Sequence, residues 1–320
     1  MNLHVSCAPH IRSANNTTRL MRDVLIALLP TTIAGVYYFG IQAAILLAIS
    51  VVSAVLAELA WQSVTKQPVR IQDLSAAVTG LLLGLNLPVS APWWLAMIGS
   101  FFAVIFVKQL FGGLGHNFMN PALAARAVLL ASWPVHMTAW TLPTYFQSVD
   151  AVSSATPLAG MQAGGIMDLF LGNIPGCIGE VCKAAILLGF LYLVIRGTIV
   201  GHVPVIFLAV TALFSWALGT QGGFTFDGDP LTAILTGGVM FGAVFMATDY
   251  ATSPMTLAGQ AIFAAGCGII VSVIRAYGAY PEGVTYAILL MNIVTPLIDR
   301  AIKPTVYGAV KPPREVKANA

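Results

Sequence analysis

The chain has 320 residues, of which 58% are hydrophobic and only 8% charged, and it carries a formal net charge of +3. Soluble domains average about 25% charged residues. A water-facing surface cannot be made from so few, so a soluble enzyme is excluded and lipid is the main solvent. So small a charge gives no sign of a nucleic-acid partner, and the four cysteines Cys7, Cys177, Cys182 and Cys267 contain no CxxC spacing that would indicate a zinc or iron–sulfur site.

Residues 1–22 are polar, hold Arg12, Arg19 and Arg22, and read as a cytoplasmic segment; the apolar run that follows is too long for the core of a cleaved signal. A helix needs about 20 apolar residues to cross the hydrocarbon. Val24 to Ala57 is free of charge and divides at Tyr38–Phe39–Gly40 into two helices. Leu74 to Val107 is again free of charge and divides at the segment Asn86–Trp94, NLPVSAPWW. A short fifth helix is expected after Pro121, and further helices over roughly 181–195, 203–219, 231–247, 257–274 and 284–299. Glu58 falls inside the second helix, where an acid is costly; snorkelling or pairing with a neighbouring subunit is preferred there to ion coordination.

With the N-terminus in the cytoplasm and about ten alternating spans, thirteen of the fifteen lysines and arginines fall on the cytoplasmic side, leaving Lys183 and Arg275 outside. The expected fold is therefore an all-α polytopic membrane protein with both termini cytoplasmic. A first five-helix unit spans 23–131, a long outer loop 132–179, a second five-helix unit 180–300, and a cytoplasmic tail 301–320. The loop, rich in glycine and proline, is too interrupted to cross the membrane and too long to be an idle connection. Asp227 and Asp229 belong to an outer turn that meets water.

The two units show internal similarity. Leu74–Gly80, LSAAVTG, matches Leu231–Gly237, LTAILTG, 157 residues later, and Asn117–Pro121, NFMNP, resembles Asn292–Pro296, NIVTP. Five spans per unit give the units opposite orientation, an inverted repeat. The alternative is chance similarity among small residues that serve only close helix packing.

The loop contains Asp150–Gly160, DAVSSATPLAG. Together with Gly115–Ala127, GHNFMNPALAARA, and Phe245–Pro254, FMATDYATSP, this sequence resembles the D subunits of Rnf ion-translocating electron-transport complexes, relatives of the B subunit of the sodium-pumping NADH:quinone reductase. The resemblance extends over essentially the whole chain. It implies that the threonine ending the pattern D-x-x-[ST]-[GS]-A-T, here Thr156, takes FMN through a phosphoester bond. Asp150, Ser153, Ser154 and Ala155 fill the rest of the pattern, Ser154 standing where glycine is frequent. Small residues around Thr156 give a flavin transferase access to its hydroxyl, Asp150 is placed to orient the segment or activate that hydroxyl, and Pro157 stops regular structure from running through. In isolation, SSAT is more often an ordinary loop or helix cap.

The resemblance also permits a second, non-covalent flavin, riboflavin, held by Asn117 and Asn120. A plainer account makes Asn120 the N-cap and Pro121 the first residue of the fifth helix. His116 reads as a structural histidine, and Asp249 as a group that satisfies broken backbone or lines a cavity.

The implied function is a subunit of a bacterial inner-membrane redox pump, passing electrons between ferredoxin and NAD and driving Na+ or H+ transport. The implied partners are the A, B, C, E and G subunits, among them an iron–sulfur membrane pair and a second subunit with covalent flavin, besides the flavin transferase. The chain lacks a dinucleotide-binding fingerprint and cluster-ligating cysteines, so it holds no complete active site. The rival reading is a stand-alone inverted-repeat transporter or channel without a redox role.

Overall fold

A computed structural model describes residues 16–143, 165–219, 225–278 and 282–303. Asp150, Ser153, Ser154, Ala155 and Thr156 lie outside the described residues, as does Cys7.

The described chain is helical. Helix α1 (Thr17–Phe39) starts at Asn16, whose side chain accepts from the Arg19 N–H at 2.8 Å, and stops at Gly40, whose positive φ of 74° turns the chain directly into α2 (Ile41–Val64). Then come the short helix α3 (Ser75–Leu85), α4 (Trp93–Phe101), which widens into a π-helical stretch over Phe102–Gln109, and α5 (Pro121–Ser132). Two small helices, α6 (Pro134–Met137) and α7 (Ile166–Leu171), flank the segment that contains Thr156. The second part consists of α8 (Lys183–Ile195), α9 (His202–Leu218), the interrupted pair α10 (Pro230–Leu235) and α11 (Val239–Phe241), the latter continuing as a π stretch over Gly242–Met246, then α12 (Leu257–Tyr277) and α13 (Val284–Ala301). Helices α1, α2, α12 and α13 are each long and apolar enough to cross a bilayer, and the chain is a multi-pass membrane protein.

Lipid offers no hydrophobic drive between helices, so close approach depends on small residues. Gly80 of α3 lies so near α2 that a β-carbon there would stand 2.8 Å from the Ser50 carbonyl oxygen and from the Val51 Cα. At this crossing the Ser50 hydroxyl donates to the Gly80 carbonyl at 2.7 Å, and the Ser100 hydroxyl of α4 donates to the Ser50 carbonyl at 2.9 Å. Helices α9 and α12 use the same device. Gly268 lies against the Phe207 carbonyl, and the Ser272 hydroxyl reaches the Thr211 carbonyl at 3.2 Å. Helix α1 packs on α8, and α5 on α13.

Asp23 near the start of α1 pairs with Arg196 at the end of α8 at 3.2 Å, which places these helix ends on one face together with Lys66 and Arg70. The α1–α2 turn is on the opposite face. There the Tyr38 hydroxyl donates to the Leu171 carbonyl of α7 at 2.8 Å, and the Ser90 hydroxyl donates to the Ala139 carbonyl. Both flanks of the Thr156 segment are therefore tied to the face opposite the basic one.

Part of the stretch expected to be an outer loop is buried. Residues 176–182 fold back onto the C-terminal end of α3, with the Ile178 N–H donating to the Leu87 carbonyl at 3.1 Å and the Gly179 N–H to the Leu85 carbonyl at 2.8 Å. A β-carbon on Gly179 would lie 2.7 Å from that of Leu85, so glycine is required for this contact.

Replacing Gly80 with alanine pushes α3 away from the α2 backbone and should cost about 1–3 kcal/mol. The expected outcome is a lower thermal midpoint for the purified protein, with Gly201→Ala, whose β-carbon would meet nothing nearer than 3.5 Å, as the neutral control.

Candidate functional site

Two adjoining polar regions open on the basic face. The first is a fully buried ion pair between Glu58 of α2 and Lys108 of the α4 π stretch, 2.9 Å apart. The wider π turn lets two consecutive residues reach one oxygen: Lys108 Nζ and Gln109 Nε2 both donate to Glu58 Oε1, the latter at 2.6 Å. Lys108 also donates to the Ser75 hydroxyl at 2.6 Å, and that hydroxyl donates in turn to Asp73 Oδ1 at 2.6 Å. The chain thus binds the start of α3 to the ends of α2 and α4. Glu58 finds its partner within its own chain, rather than in headgroups or a neighbouring subunit. Its Oε2 is buried without a hydrogen-bond partner, at the wall of a polar cleft of about 530 Å³ that Gln62, Asp73, Gln109 and His116 also line.

The second region is a narrow cleft between the two halves of the molecule, with a cavity volume of about 80 Å³. Val78, Leu82, Leu193 and Phe245 give it apolar walls, and Ser75, Lys108, Asn117, Asn120, Thr248 and Asp249 its polar groups. Asn120 is the N-cap of α5, with Oδ1 accepting from the Ala122 and Leu123 N–H groups at 3.1 and 3.3 Å and Nδ2 donating to the Met246 carbonyl at 3.4 Å. The plainer account of this residue is therefore fulfilled, and the same residue also faces the cleft. Asn117 Nδ2 donates to the Met119 carbonyl at 3.2 Å. Asp249 closes the turn after the Gly242–Met246 stretch by accepting from Thr252 Oγ1 at 3.2 Å. Burial raises its carboxyl above the ordinary carboxylate range, against hydrogen bonds from Ala251 and Thr252 that lower it. Apolar walls with polar groups gathered on one side match the chemistry of a flat aromatic ring with a hydrogen-bonding edge, but the cleft must widen to admit one.

Of the residues expected to matter, Asn117, Asn120 and Asp249 come together here, and Glu58 lies in the adjoining region behind Lys108. Asp229 caps α10 with a 3.0 Å bond from the Leu231 N–H. Lys108 and Ser75 were not expected to belong to a site. Lys108 is the charge that ends an apolar run, and its position there was the available signal.

The geometry defines a polytopic helical membrane protein with several interrupted helices and polar clefts beside the interruptions. The chain belongs to the NQR2, RnfD, RnfE family, whose pattern it matches over residues 4–308. It is 49% identical to the D subunit of the Na(+)-translocating ferredoxin:NAD(+) oxidoreductase complex of Acetobacterium woodii, covering 99% of both chains. It is 42% identical to the D subunit of the proton-translocating ferredoxin:NAD(+) oxidoreductase complex of Clostridium ljungdahlii, covering 95% of this chain and 96% of the relative. Identity to the D subunit of the ion-translocating oxidoreductase complex of Halorhodospira halophila is 38%, with 95% of each chain covered.

Removing one member of a buried ion pair leaves the other uncompensated and costs about 3–5 kcal/mol, whereas removing both charges costs far less. Lys108→Met is expected to lower the unfolding midpoint in detergent more than the double variant Glu58→Gln/Lys108→Met. Equal losses would show that the pair is not coupled.

Proposed function

We propose that this chain is the D subunit of an Rnf-type ion-translocating ferredoxin:NAD oxidoreductase, and that it carries FMN as a phosphoester on Thr156. The reading rests on one observation above others: the pattern Asp150–Thr156, DAVSSAT, occurs in a chain that aligns end to end with D subunits of such complexes. Asp150, Ser153, Ser154 and Ala155 form the acceptor segment around the Thr156 hydroxyl. When attached, the flavin supplies one- or two-electron transfer, and the protein contributes its position and electrostatic surroundings. The attachment of both flanks to the face away from Lys66 and Arg70 supports an outer, periplasmic position for the segment, with both termini cytoplasmic and the body in the bacterial inner membrane.

The chain serves as one relay in a larger assembly. Its sequence has neither a dinucleotide-binding fingerprint nor a cluster-ligating cysteine pattern, and electrons reach and leave it through partner subunits: A, B, C, E and G, including an iron–sulfur membrane pair and a second subunit with covalent flavin. A flavin transferase matures it. The relatives at 49% and 42% identity are named for different ions, so family membership does not select Na+ or H+.

The cleft between the halves is the place for a non-covalent riboflavin, with Asn117 and Asn120 at the polar edge of the ring. The units 23–131 and 180–300 read as inverted repeats. Support comes from the paired motifs and from the shared use of serine hydroxyls at the α2–α4 and α9–α12 crossings.

In-gel flavin fluorescence of the denatured chain, produced with its flavin transferase, tests the covalent site. The parent should fluoresce and Thr156→Ala should not. A fluorescent band surviving the substitution would move the attachment elsewhere, and a dark parent would favour the transporter reading. Asn117→Leu tests the second site: acid-extractable riboflavin should fall well below one per chain while the covalent band persists. Unchanged riboflavin would place that cofactor outside this cleft.

A further inference from the structure

A further polar cleft, apart from those on the basic face, lies where α9, α10 and α12 meet. Arg196 and Asp23 fix the end of α8 on the basic face, so α9 sets out from there at His202. Its 17 residues rise about 26 Å, close to the ~30 Å hydrocarbon core, and bring Leu218 to the opposite face. Helix α12 runs parallel to α9, with Gly268 against Phe207 and Ser272 against Thr211, so Tyr277 ends on that face too. Helix α10 starts there at Pro230 and runs inward. The cleft, with a cavity volume of about 250 Å³, is lined by Ser215, Asp229, Thr232, Ser272 and Arg275. It is therefore at the depth of lipid headgroups.

Two opposite charges share the cleft without meeting. Asp229, exposed at the mouth, caps α10: Oδ1 accepts from the Leu231 N–H at 3.0 Å and Oδ2 from the Thr232 hydroxyl. Arg275 reaches α10 about one to two helical turns deeper, where Nη1 donates to the Ala233 carbonyl at 2.6 Å and Nη2 to the Thr236 carbonyl at 2.9 Å. Its Nε–H is buried without a partner, and among the described residues Arg275 has no ion pair. Behind it, three cations, Arg126, Lys183 and Arg275 itself, face only two carboxylates, those of Glu180 and Glu282. The interior thus has one cation in excess, and Arg275 is the member of that group that borders the cleft. Asp229 balances the charge overall, but from the mouth.

A wall hydroxyl is also available. Ser272 donates to the Gly268 and Thr211 carbonyls at 3.0 and 3.2 Å, so Ser215, 3.4 Å from Ser272, is held by one long contact. Gly228 passes against the Ser215 carbonyl where a β-carbon would collide, which brings the Asp229 turn alongside that wall. The surround is apolar. Leu213, Leu231 and Val273 are exposed, and so are Trp216 and Tyr277, of the type that gathers at a membrane surface.

We propose that this cleft binds the headgroup of one zwitterionic phospholipid of the outer leaflet, a phosphatidylethanolamine. The phosphate accepts from the Arg275 Nε–H and the Ser215 hydroxyl. The ammonium donates to Asp229, whose oxygens each keep a second lone pair. The acyl chains follow the lipid-facing sides of α9 and α12. The charges lie in the order such a lipid presents them, phosphate nearer the hydrocarbon and ammonium toward water. A purely anionic headgroup would meet the Asp229 carboxylate uncompensated, and a soluble phosphate would leave the apolar rim uncovered. Bound there, the lipid neutralises Arg275 and ties the interrupted helix α10 to α9 and α12. The site requires no flavin.

The test is native mass spectrometry of the full chain, isolated in detergent with the subunits that stay bound, stripped of lipid, and mixed with equal amounts of phosphatidylethanolamine, phosphatidylcholine and phosphatidylglycerol. The parent should retain one phosphatidylethanolamine per chain in preference to the other two. Ser215→Leu fills the cleft without altering a charge and should abolish that retention. Asp229→Asn keeps an N-cap of similar strength on α10 but removes the charge at the mouth. Its retention of phosphatidylethanolamine should fall about tenfold, and phosphatidylglycerol should then bind as well. Inorganic phosphate added in excess should displace nothing. A parent that retains no lipid or prefers phosphatidylglycerol, or unchanged retention in either variant, would overturn the proposal. So would displacement by inorganic phosphate, which would make the occupant a free anion.

Discussion

In hydrocarbon no water is present to receive a free N–H or C=O, so each broken helix must have its exposed backbone groups answered by protein. This chain breaks helices repeatedly, and that requirement accounts for several of its interior polar residues. Asn120 answers the first N–H groups of α5. Arg275 and Lys183 answer the last carbonyls of α10. The end of α3 is closed by the returning segment through the Leu85 and Leu87 carbonyls, with Cys177 on that of Asn86. An unanswered group would cost several kcal/mol, so breaks and polar side chains occur together. The polar residues then remain as groups that a cofactor or an ion can use.

The same economy governs the crossings between helices. A serine hydroxyl in lipid must donate to something: at Ser50 and Ser100 it donates to a carbonyl on a neighbouring helix, and at Ser272 it lies between the Gly268 carbonyl of its own helix at 3.0 Å and the Thr211 carbonyl across the contact at 3.2 Å. Glycines at the same crossings bring the backbones close enough for those bonds to form. Packing and hydrogen bonding are therefore a single feature here: loss of the glycine contact lengthens the hydroxyl bond, and loss of the hydroxyl removes what holds the close approach in register.

Helix positions were legible because the cost of charge in lipid is local and additive. Runs without Asp, Glu, Lys or Arg marked α1 with α2 and α3 with α4, and glycine or proline marked where each run divides, at Gly40 and around Pro92. Asn120 and Pro121 announced the start of α5 through capping chemistry confined to a few adjacent residues. Pairings between distant segments were not legible. Glu58 reads as a stray acid because its partner Lys108 is 50 residues away and reaches it through a π turn that no periodicity signals. Lys183 and Arg275 look like ordinary outer basic residues, since nothing local shows that they end on carbonyls of α10. The return of residues 176–182 into the body was hidden for a related reason. That segment, GCIGEVC, follows a stretch rich in glycine and holds an acid, as an outer loop would, and its burial depends on backbone bonds to the helix end at Leu85 and Leu87, far earlier in the chain. The Thr156 pattern differs from all of these, being recognisable by resemblance alone.

The distribution of polar groups follows from what each has to exchange. The segment that contains Thr156 has both described flanks tied to one face of the body, away from the clefts on the basic face. Glu180 and Glu282 lie beside the breaks in α3 and α10, joined to Asn86 through Cys177 and Arg126. Those breaks also set the geometry of the clefts on either side, because the ends of α10 and α5 form part of their walls. A shift in one broken helix would therefore change both the access to the interior acids and the polar groups around them, without any long-range rearrangement of the apolar shell.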